Sequence, residues 1–202
     1  ISFTLLFILY LNYIQGQTIN VQPLSVARYD LASASLSPQG IVLFAGGWND
    51  QNYFNTVDIY NANTNSWTTA QLSVPRHALA SASLPSQGLA FFASGGYNGE
   101  YQTVVDIYNA NINSWTTTAL SIGRNYMSGG ATAGVVVFAG GSYYGDSSQR
   151  VDYYTISTQI WTTDHSLSVP RYYMGVAVLQ TLPQIFFAGG TVQSDTIIYH
   201  SN

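Results

Sequence analysis

Residues whose types could support catalysis are few in this 202-residue chain. Its three histidines, His77, His165 and His200, are scattered without the spacing of metal ligands, and cysteine is absent. There is no His-Glu-x-x-His pair, no Gly-x-Ser-x-Gly nucleophile turn and no glycine loop for phosphates. The lack of cysteine excludes disulfides, thiolate metal sites and cysteine nucleophiles. We therefore expect no catalytic residues, no metal site and no cofactor.

The charge balance narrows the possible partners. Only 7% of the residues are charged, lysine is absent and the formal net charge is −4. A protein that binds nucleic acid needs a basic surface for the phosphate backbone, so nucleic acid is not expected as a partner. The 47% hydrophobic content also argues against an ordinary disordered chain.

The first sixteen residues, 1–16, contain an apolar run over positions 1–14. As a helix at about 1.5 Å per residue, this run would reach about 21 Å, which is short of the roughly 30 Å hydrocarbon core of a membrane. We interpret it as the hydrophobic region of a signal peptide, which predicts a secreted or extracellular protein with no stable membrane span. A hydrophobic N-terminal strand or anchor is the alternative.

The elements that must position any functional residue form an internal repeat. Residues 57–67 return almost unchanged as 105–115, and a looser copy occupies 151–161. The tryptophans in these copies are 48 and 46 residues apart (115 − 67 and 161 − 115). Periods of this size are typical of stacked repeats or propeller blades. We predict one domain over 17–202, with units at about 24–70, 72–118, 120–164 and 167–202, the last with a strand at 19–22.

The sequence pattern of each unit predicts four strands. It begins with a Leu-Ser-x-x-Arg phrase, then a run of small residues and a turn, then an apolar run such as 41–45 that indicates a strand buried on both faces. The repeated arginines are Arg28, Arg76, Arg124 and Arg171. The glycine pairs that end the apolar runs are Gly46-Gly47, Gly95-Gly96, Gly140-Gly141 and Gly189-Gly190. The third strands carry Tyr60, Tyr108 and Tyr154, and the fourth strands begin at Trp67, Trp115 and Trp161.

This pattern of a glycine pair, a tyrosine and a tryptophan resembles the kelch repeat over about residues 19–202. The resemblance implies an all-β protein, a β-propeller whose four-stranded antiparallel blades surround a central channel. The fourth unit ends after a third strand near 196–199, while 19–22 takes a fourth-strand position with no blade before it. Two arrangements are open: four blades closed into a ring by this N-terminal strand, or part of a larger propeller.

Residues that recur in every unit are interpreted as structural. Asp58, Asp106 and Asp152 are expected to pair with backbone amides or with the repeated arginines. The tryptophans are expected to be fully buried, and the glycine pairs to make room for the tyrosine and tryptophan of their own unit. A ring of arginines that faces the channel and attracts an anion is the alternative for the arginines.

Residues that break the repeat form the candidate binding surface. They follow the glycine pairs and the arginines, and the resemblance implies that both positions lie on one face around the channel mouth. Aromatic rings beside amides and carboxylates can stack on sugars or anchor peptides. The alternative for each ring is packing against the adjacent blade. The candidates are Tyr29, Asp30, Trp48, Asn49, Asp50, His77, Tyr97, Asn98, Tyr126, Tyr143, Tyr144 and Tyr173.

The sequence thus predicts a non-catalytic kelch-type scaffold that presents this face to a protein or glycan partner. The alternative is a carbohydrate-active enzyme, epimerase or oxidase-like, that uses Asp30, Asp50 or Glu100 near the channel. Galactose oxidase-like propellers hold copper with a cysteine crosslinked to tyrosine, and this chain has no cysteine. Carboxylates within about 10 Å of one another in a pocket would favour an enzyme. An aromatic rim with separated acids would favour binding.

Overall fold

The computed structural model of the protein describes residues 22–192. The predicted signal segment at 1–16, nearly all of the predicted strand at 19–22 and the predicted strand near 196–199 lie outside this range. Within the range, no helix is long and apolar enough to cross a membrane.

The fold is all-β, and its first blade is a four-stranded antiparallel sheet whose strands are hydrogen-bonded in sequence order. These strands are β1 (Ala32–Leu36), β2 (Ile41–Ala45), β3 (Thr56–Asn61) and β4 (Ser66–Gln71). The register places Tyr60 opposite Trp67, so the two repeated aromatic rings pack on the same face of the sheet. The predicted order of four strands is therefore confirmed.

The second and third blades repeat this order, and each adds a short hairpin after its glycine pair. The second blade contains β5 (Ala80–Leu84), β6 (Leu89–Ala93), the hairpin β7 (Gly96–Tyr97) and β8 (Glu100–Tyr101), then β9 (Val104–Asn109) and β10 (Ser114–Ala119). The third contains β11 (Ser128–Thr132), β12 (Val135–Ala139), the hairpin β13 (Ser142–Tyr143) and β14 (Asp146–Ser147), then β15 (Arg150–Thr155) and β16 (Ile160–Ser166). The hairpins were not predicted, because the sequence of these segments indicated only variable polar loops.

The fourth blade is described as two antiparallel strands, β17 (Tyr172–Leu179) and β18 (Gln184–Thr191). In the part of the chain that the structure describes, the sheets do not close into a ring. The architecture is that of a β-propeller in which neighbouring units pack face to face in chain order.

The first strand of each blade is crowded by the first strand of its neighbour, which explains its small residues. The Ser81 hydroxyl donates a hydrogen bond to the Ser33 carbonyl oxygen at 2.6 Å, which joins β5 to β1. A Cβ atom added to Gly129 on β11 would collide with the Ser81 carbonyl oxygen. Larger side chains there would force the blades apart.

Two hydrophobic cores lie between successive blades. The first includes Leu36 and Leu43 of the first blade with Phe92 of the second, and the other joins Phe91 to Phe138 of the third blade. Phe91 and Phe92 are adjacent on β6 and point to opposite faces, so one strand supplies both cores. This confirms the prediction that the apolar second strand is buried on both faces.

The glycine pairs make room for backbone, and the prediction that aromatic rings occupy this space is wrong. The Gly47 amide donates to the carbonyl oxygen of Arg76 in the next unit at 2.9 Å. A Cβ on Gly46 would lie 2.6 Å from that same oxygen, and a Cβ on Gly95 would lie 2.5 Å from the His77 carbonyl oxygen. Gly46 and Gly95 also have positive φ angles of 69° and 98°. The glycines thus permit close backbone contact, between adjacent blades at Gly46 and within one unit at Gly95.

The repeated tryptophans are not fully buried, which corrects a second expectation. Trp67 is 37% exposed, and Trp115 and Trp161 are partly exposed. Each ring lies on the outermost strand of its blade and packs on the tyrosine of the strand beside it, with centroids 5.0 to 5.2 Å apart. One side of the ring therefore remains at the surface.

The repeated arginines and aspartates form buried pairs, as expected from their recurrence. Arg28 donates to Asp58 at 2.7 Å and Arg76 to Asp106 at 2.6 Å, and Arg124 pairs with Asp152. These arginine side chains are at most 1% exposed, so they do not form an anion-attracting ring in the channel. Arg28 and Arg76 also donate to carbonyl oxygens of the second strand, which ties the start of each unit to its sheet.

Candidate functional site

The segments after the arginines and after the glycine pairs lie side by side. Isolated antiparallel bridges join Tyr29 to Trp48, His77 to Gly96 and Asn125 to Ser142. The backbone therefore places the two sets of candidate residues on one face of the blades, which we call the loop face.

A chain of backbone hydrogen bonds runs across this face from blade to blade. The Ala78 amide donates to the Asp30 carbonyl at 2.8 Å, Tyr126 to Ala78 at 3.0 Å, and Tyr173 to Tyr126 at 3.2 Å. These four residues have φ angles of 52° to 57°, a conformation that is costly for residues other than glycine. The inter-blade hydrogen bonds hold them in this conformation, and Asp30, Tyr126 and Tyr173 line a shallow cleft of about 310 Å³.

Four rings from the first two units form the first aromatic cluster, defined as Trp48, Tyr53, His77 and Tyr97. The Tyr53 centroid lies 4.8 Å from that of Trp48, 5.4 Å from His77 and 5.4 Å from Tyr97. Tyr53 is central to the cluster but was not predicted, although it is an aromatic residue in the loop after the first glycine pair. The cluster crosses the boundary between two blades, so it requires both of them.

A polar edge borders the first aromatic cluster. The Trp48 Nε1–H donates to the Tyr29 hydroxyl, and that hydroxyl donates to the Asp50 carboxylate. The hydrogen bond to Asp50 raises the pKa of Tyr29 above its usual value. His77 Nδ1 lies 3.6 Å from Asp30 Oδ2 and has no hydrogen-bond partner among the described residues.

A second aromatic cluster consists of Tyr101, Tyr143 and Tyr144. Tyr144 lies edge-on to both neighbours, with centroids 5.0 Å from Tyr101 and 4.6 Å from Tyr143. Its hydroxyl donates to Glu100 Oε2 at 3.2 Å, and the negative charge of Glu100 raises the pKa of Tyr144. Tyr101 was missed because it follows the hairpin turn that the sequence did not predict.

The third aromatic cluster, Tyr126, Tyr172 and Tyr173, lies at the third and fourth units. The centroids of Tyr126 and Tyr173 are 4.4 Å apart, and those of Tyr172 and Tyr173 are 5.1 Å apart. Burial is the main cause that raises the pKa of Tyr173, and its hydrogen bond with Tyr126 adds to the effect. Tyr172, the residue before Tyr173, was not among the predicted site residues.

Several candidate rings stay exposed although they pack on each other. The exposed fractions are 46% for Tyr29, 39% for Tyr97, 59% for Tyr144 and 60% for Tyr173. Some of these rings contact the adjacent blade, as the packing alternative expects, and all four also present surface to solvent. The clusters combine apolar area with hydroxyl and carboxylate groups.

Two candidate amides serve the loops themselves. Asn49 Oδ1 accepts a hydrogen bond from the Asn52 amide at 3.0 Å, which stabilises the turn after Trp48. Asn98 has a φ angle of 52° in the turn between β7 and β8, a conformation that asparagine tolerates. These contacts account for the residue types without a ligand.

The acids named for the enzyme alternative have separate partners. Asp50 accepts from Tyr29, Glu100 accepts from Tyr144, and Asp30 faces His77. Over residues 22–192, no group of three or more histidine or acidic side chains is arranged to hold a metal ion.

The comparison with family models identifies the first blade. Residues 32–71 match the Kelch motif. This segment is therefore similar to one kelch repeat. The match runs from β1 to the end of β4, so the kelch unit corresponds to one complete four-stranded blade. The second and third kelch-like blades have the same strand order, glycine pair and arginine–aspartate pair. No curated protein matches the chain.

Proposed function

We propose that this kelch-repeat chain is a non-catalytic scaffold that binds a protein partner through the aromatic clusters of its loop face. Kelch propellers typically bind proteins. The observation that carries the proposal is the first aromatic cluster, which joins two blades and leaves Tyr97 exposed beside the polar edge of Tyr29 and Asp50.

Exposed tyrosine and tryptophan are well suited to this role. They bury large areas with few rotatable bonds, and they are enriched among residues that dominate binding energy. In this chain the rings are already packed on one another, so a partner would meet a preorganised surface. Because only 7% of residues are charged, aromatic and amide contacts would contribute more than ion pairs.

A glycan is the second candidate partner. The Trp48 ring stands beside the Tyr29 hydroxyl and the Asp50 carboxylate, which combines an aromatic ring with acceptors for sugar hydroxyls. Asp50 and Glu100 each accept a hydrogen bond from a tyrosine of the loop face, so these acids are part of the aromatic surface.

The double variant W48A/Y97A tests this function. Wild-type and variant proteins are applied to the same protein and glycan arrays. The variant I112A is the matched control, because Ile112 is 70% exposed in the β9–β10 turn, away from the loop face. We expect W48A/Y97A to lose the main signals at least about tenfold, and I112A to keep them. Equal array profiles for W48A/Y97A and wild type would overturn the assignment.

Secretion follows as a separate proposal from the apolar run at 1–14. Fusing residues 1–20 to a reporter enzyme should direct the reporter to the medium, and a fusion that carries Leu6→Arg and Leu9→Arg should retain it in cells. Retention of the unaltered fusion would contradict the proposal.

A further inference from the structure

The third blade departs from the other two at one end of its outer strands. Arg150 begins β15 where Thr56 and Val104 begin the corresponding strands, and it is the one basic residue of the sequence outside the repeated arginine phrase. A register shift between β15 and β16 accompanies this change and places His165 opposite Val151. A β-bulge of this kind re-aims side chains at the end of a strand.

The Arg150 side chain makes only a long contact with the buried ion pair of its blade. Asp152 already accepts from Arg124 through Oδ2, and its Oδ1 accepts from Thr163 at 2.6 Å and from Ser121 at 3.3 Å. Arg150 Nε lies 3.8 Å from Asp152 Oδ1, is buried, and has no hydrogen-bond partner within residues 22–192. Within residues 22–192 its guanidinium group therefore has only this long ion pair with Asp152, and the side chain is 35% exposed.

Arg150 lines a cleft of about 560 Å³ together with acidic, aromatic and polar side chains. Asp146 and the Tyr143 ring line it together with Arg150, and no ion pair joins Asp146 to Arg150 among the described residues. The remaining lining includes amide, imidazole and hydroxyl groups from Ser148, Gln149, Thr163, His165 and Ser166. This volume lies in the range that small-molecule sites occupy.

Two cations, Arg124 and Arg150, line the cleft and interact electrostatically. Burial lowers the pKa of Arg124 to about 10, the charge of Asp152 opposes this change, and the nearby charge of Arg150 adds to the lowering. An anionic group bound at Arg150 would offset the repulsion between the two guanidinium groups.

We propose that this cleft, the Arg150 cleft, binds a small polyhydroxylated molecule that carries one carboxylate, of the sugar-acid class. Arg150 holds the carboxylate through the planar, multi-donor geometry of its guanidinium. Asp146 and Gln149 accept hydrogen bonds from ligand hydroxyls, and the Tyr143 ring packs against a sugar face. Asp146 would repel a second negative charge, so the site selects a monoanion. The proposal does not rest on the first aromatic cluster.

The test is a calorimetric titration of the full chain with glucuronate, glucose and inorganic phosphate. We expect glucuronate to bind, and glucose and phosphate to bind at least about tenfold more weakly, because each provides only part of the recognised chemistry. Equal affinity for glucuronate and glucose would overturn the role of the carboxylate. Phosphate binding as tight as glucuronate binding would overturn the sugar-acid class.

The variant R150T introduces the residue type that the first blade has at this position, so it is compatible with the strand. Its glucuronate affinity should fall about tenfold or more, while its thermal midpoint confirms folding. The double variant R150T/T56R keeps the net charge but moves the cation to the first blade. Recovery of glucuronate binding in this variant would overturn the Arg150 cleft, because charge alone would then suffice. W48A/Y97A should leave glucuronate binding unchanged, which separates this proposal from the proposed function.

Discussion

The first and second blades share nearly the same motif, yet one face of each has a different environment. Phe92 and Tyr108 of the second blade are 0% and 3% exposed. At the same positions of the first blade, Phe44 and Tyr60 are only half-buried, and they line an apolar groove of about 570 Å³ with Trp67. Identical strand positions are therefore core in one unit and surface in the other.

The difference has a simple cause. The first blade packs its Leu36 and Leu43 against the second blade and so covers Phe92. Within residues 22–192, the groove on the first blade has Gln22, Leu24 and Leu31 beside its strands and no sheet opposite it. In a repeat protein each unit gains much of its stability from the neighbour it contacts. The comparison shows that the face of a blade is buried only where a neighbouring blade covers it.

The largest expected loss of stability comes from breaking the arginine–aspartate pairs. This loss should be the same in the first and second blades, although their faces differ in burial. The Asp58 and Asp106 side chains are 4% and 3% exposed, and both partner arginines are fully buried. We expect D58N and D106N each to lower the free energy of unfolding by about 3 to 5 kcal/mol, because each leaves a buried guanidinium without its counter-charge.

Urea unfolding measures both variants, with D146N as an exposed-acid control that should change stability by less than about 0.5 kcal/mol. A cost for D58N well below that for D106N would show that the open face also weakens the buried pair. The contrast between the blades would then extend to their ion pairs.

The next prediction tests the difference in burial between Phe92 and Phe44. We expect F92A to lower the free energy of unfolding by about 3 to 5 kcal/mol, because it removes a fully buried ring and leaves a cavity. F44A should cost about half as much or less, since Phe44 is half-buried beside an open groove. The same urea experiment compares them, and equal costs would mean that another part of the protein covers the groove.

The smallest expected effect is a change in the pKa of one tyrosine, and it compares Tyr29 with Tyr144 on the loop face. Tyr29 contacts Asp50 within the first unit, whereas Tyr144 of the third unit contacts Glu100 of the second. The hydrogen bond to Asp50 is the main cause of the raised pKa of Tyr29, so D50N should lower that pKa and leave the pKa of Tyr144 unchanged. NMR titration of tyrosine-labelled protein follows each hydroxyl, and an unchanged Tyr29 titration would contradict the hydrogen bond.

Much of the fold could be predicted because its signals are local. Apolar runs, turns and glycine pairs depend on backbone geometry within a few residues, so the four strands of each blade follow from them. The recurrence of Asp58, Asp106 and Asp152 with the arginines also predicted their pairing. The candidate site was predicted only in outline, since Tyr53 and Tyr101 matter through contacts with other units.

The sequence by itself determined the period, the strand pattern and the residues that every blade reuses. Only the tertiary structure decided what fills the space beside the glycine pairs, which tryptophan face meets solvent, and that Arg150 and Asp146 share one cleft. The physical reason is that the first set depends on neighbours along the chain, whereas the second depends on how one blade packs against the next and where a single bulge shifts the register.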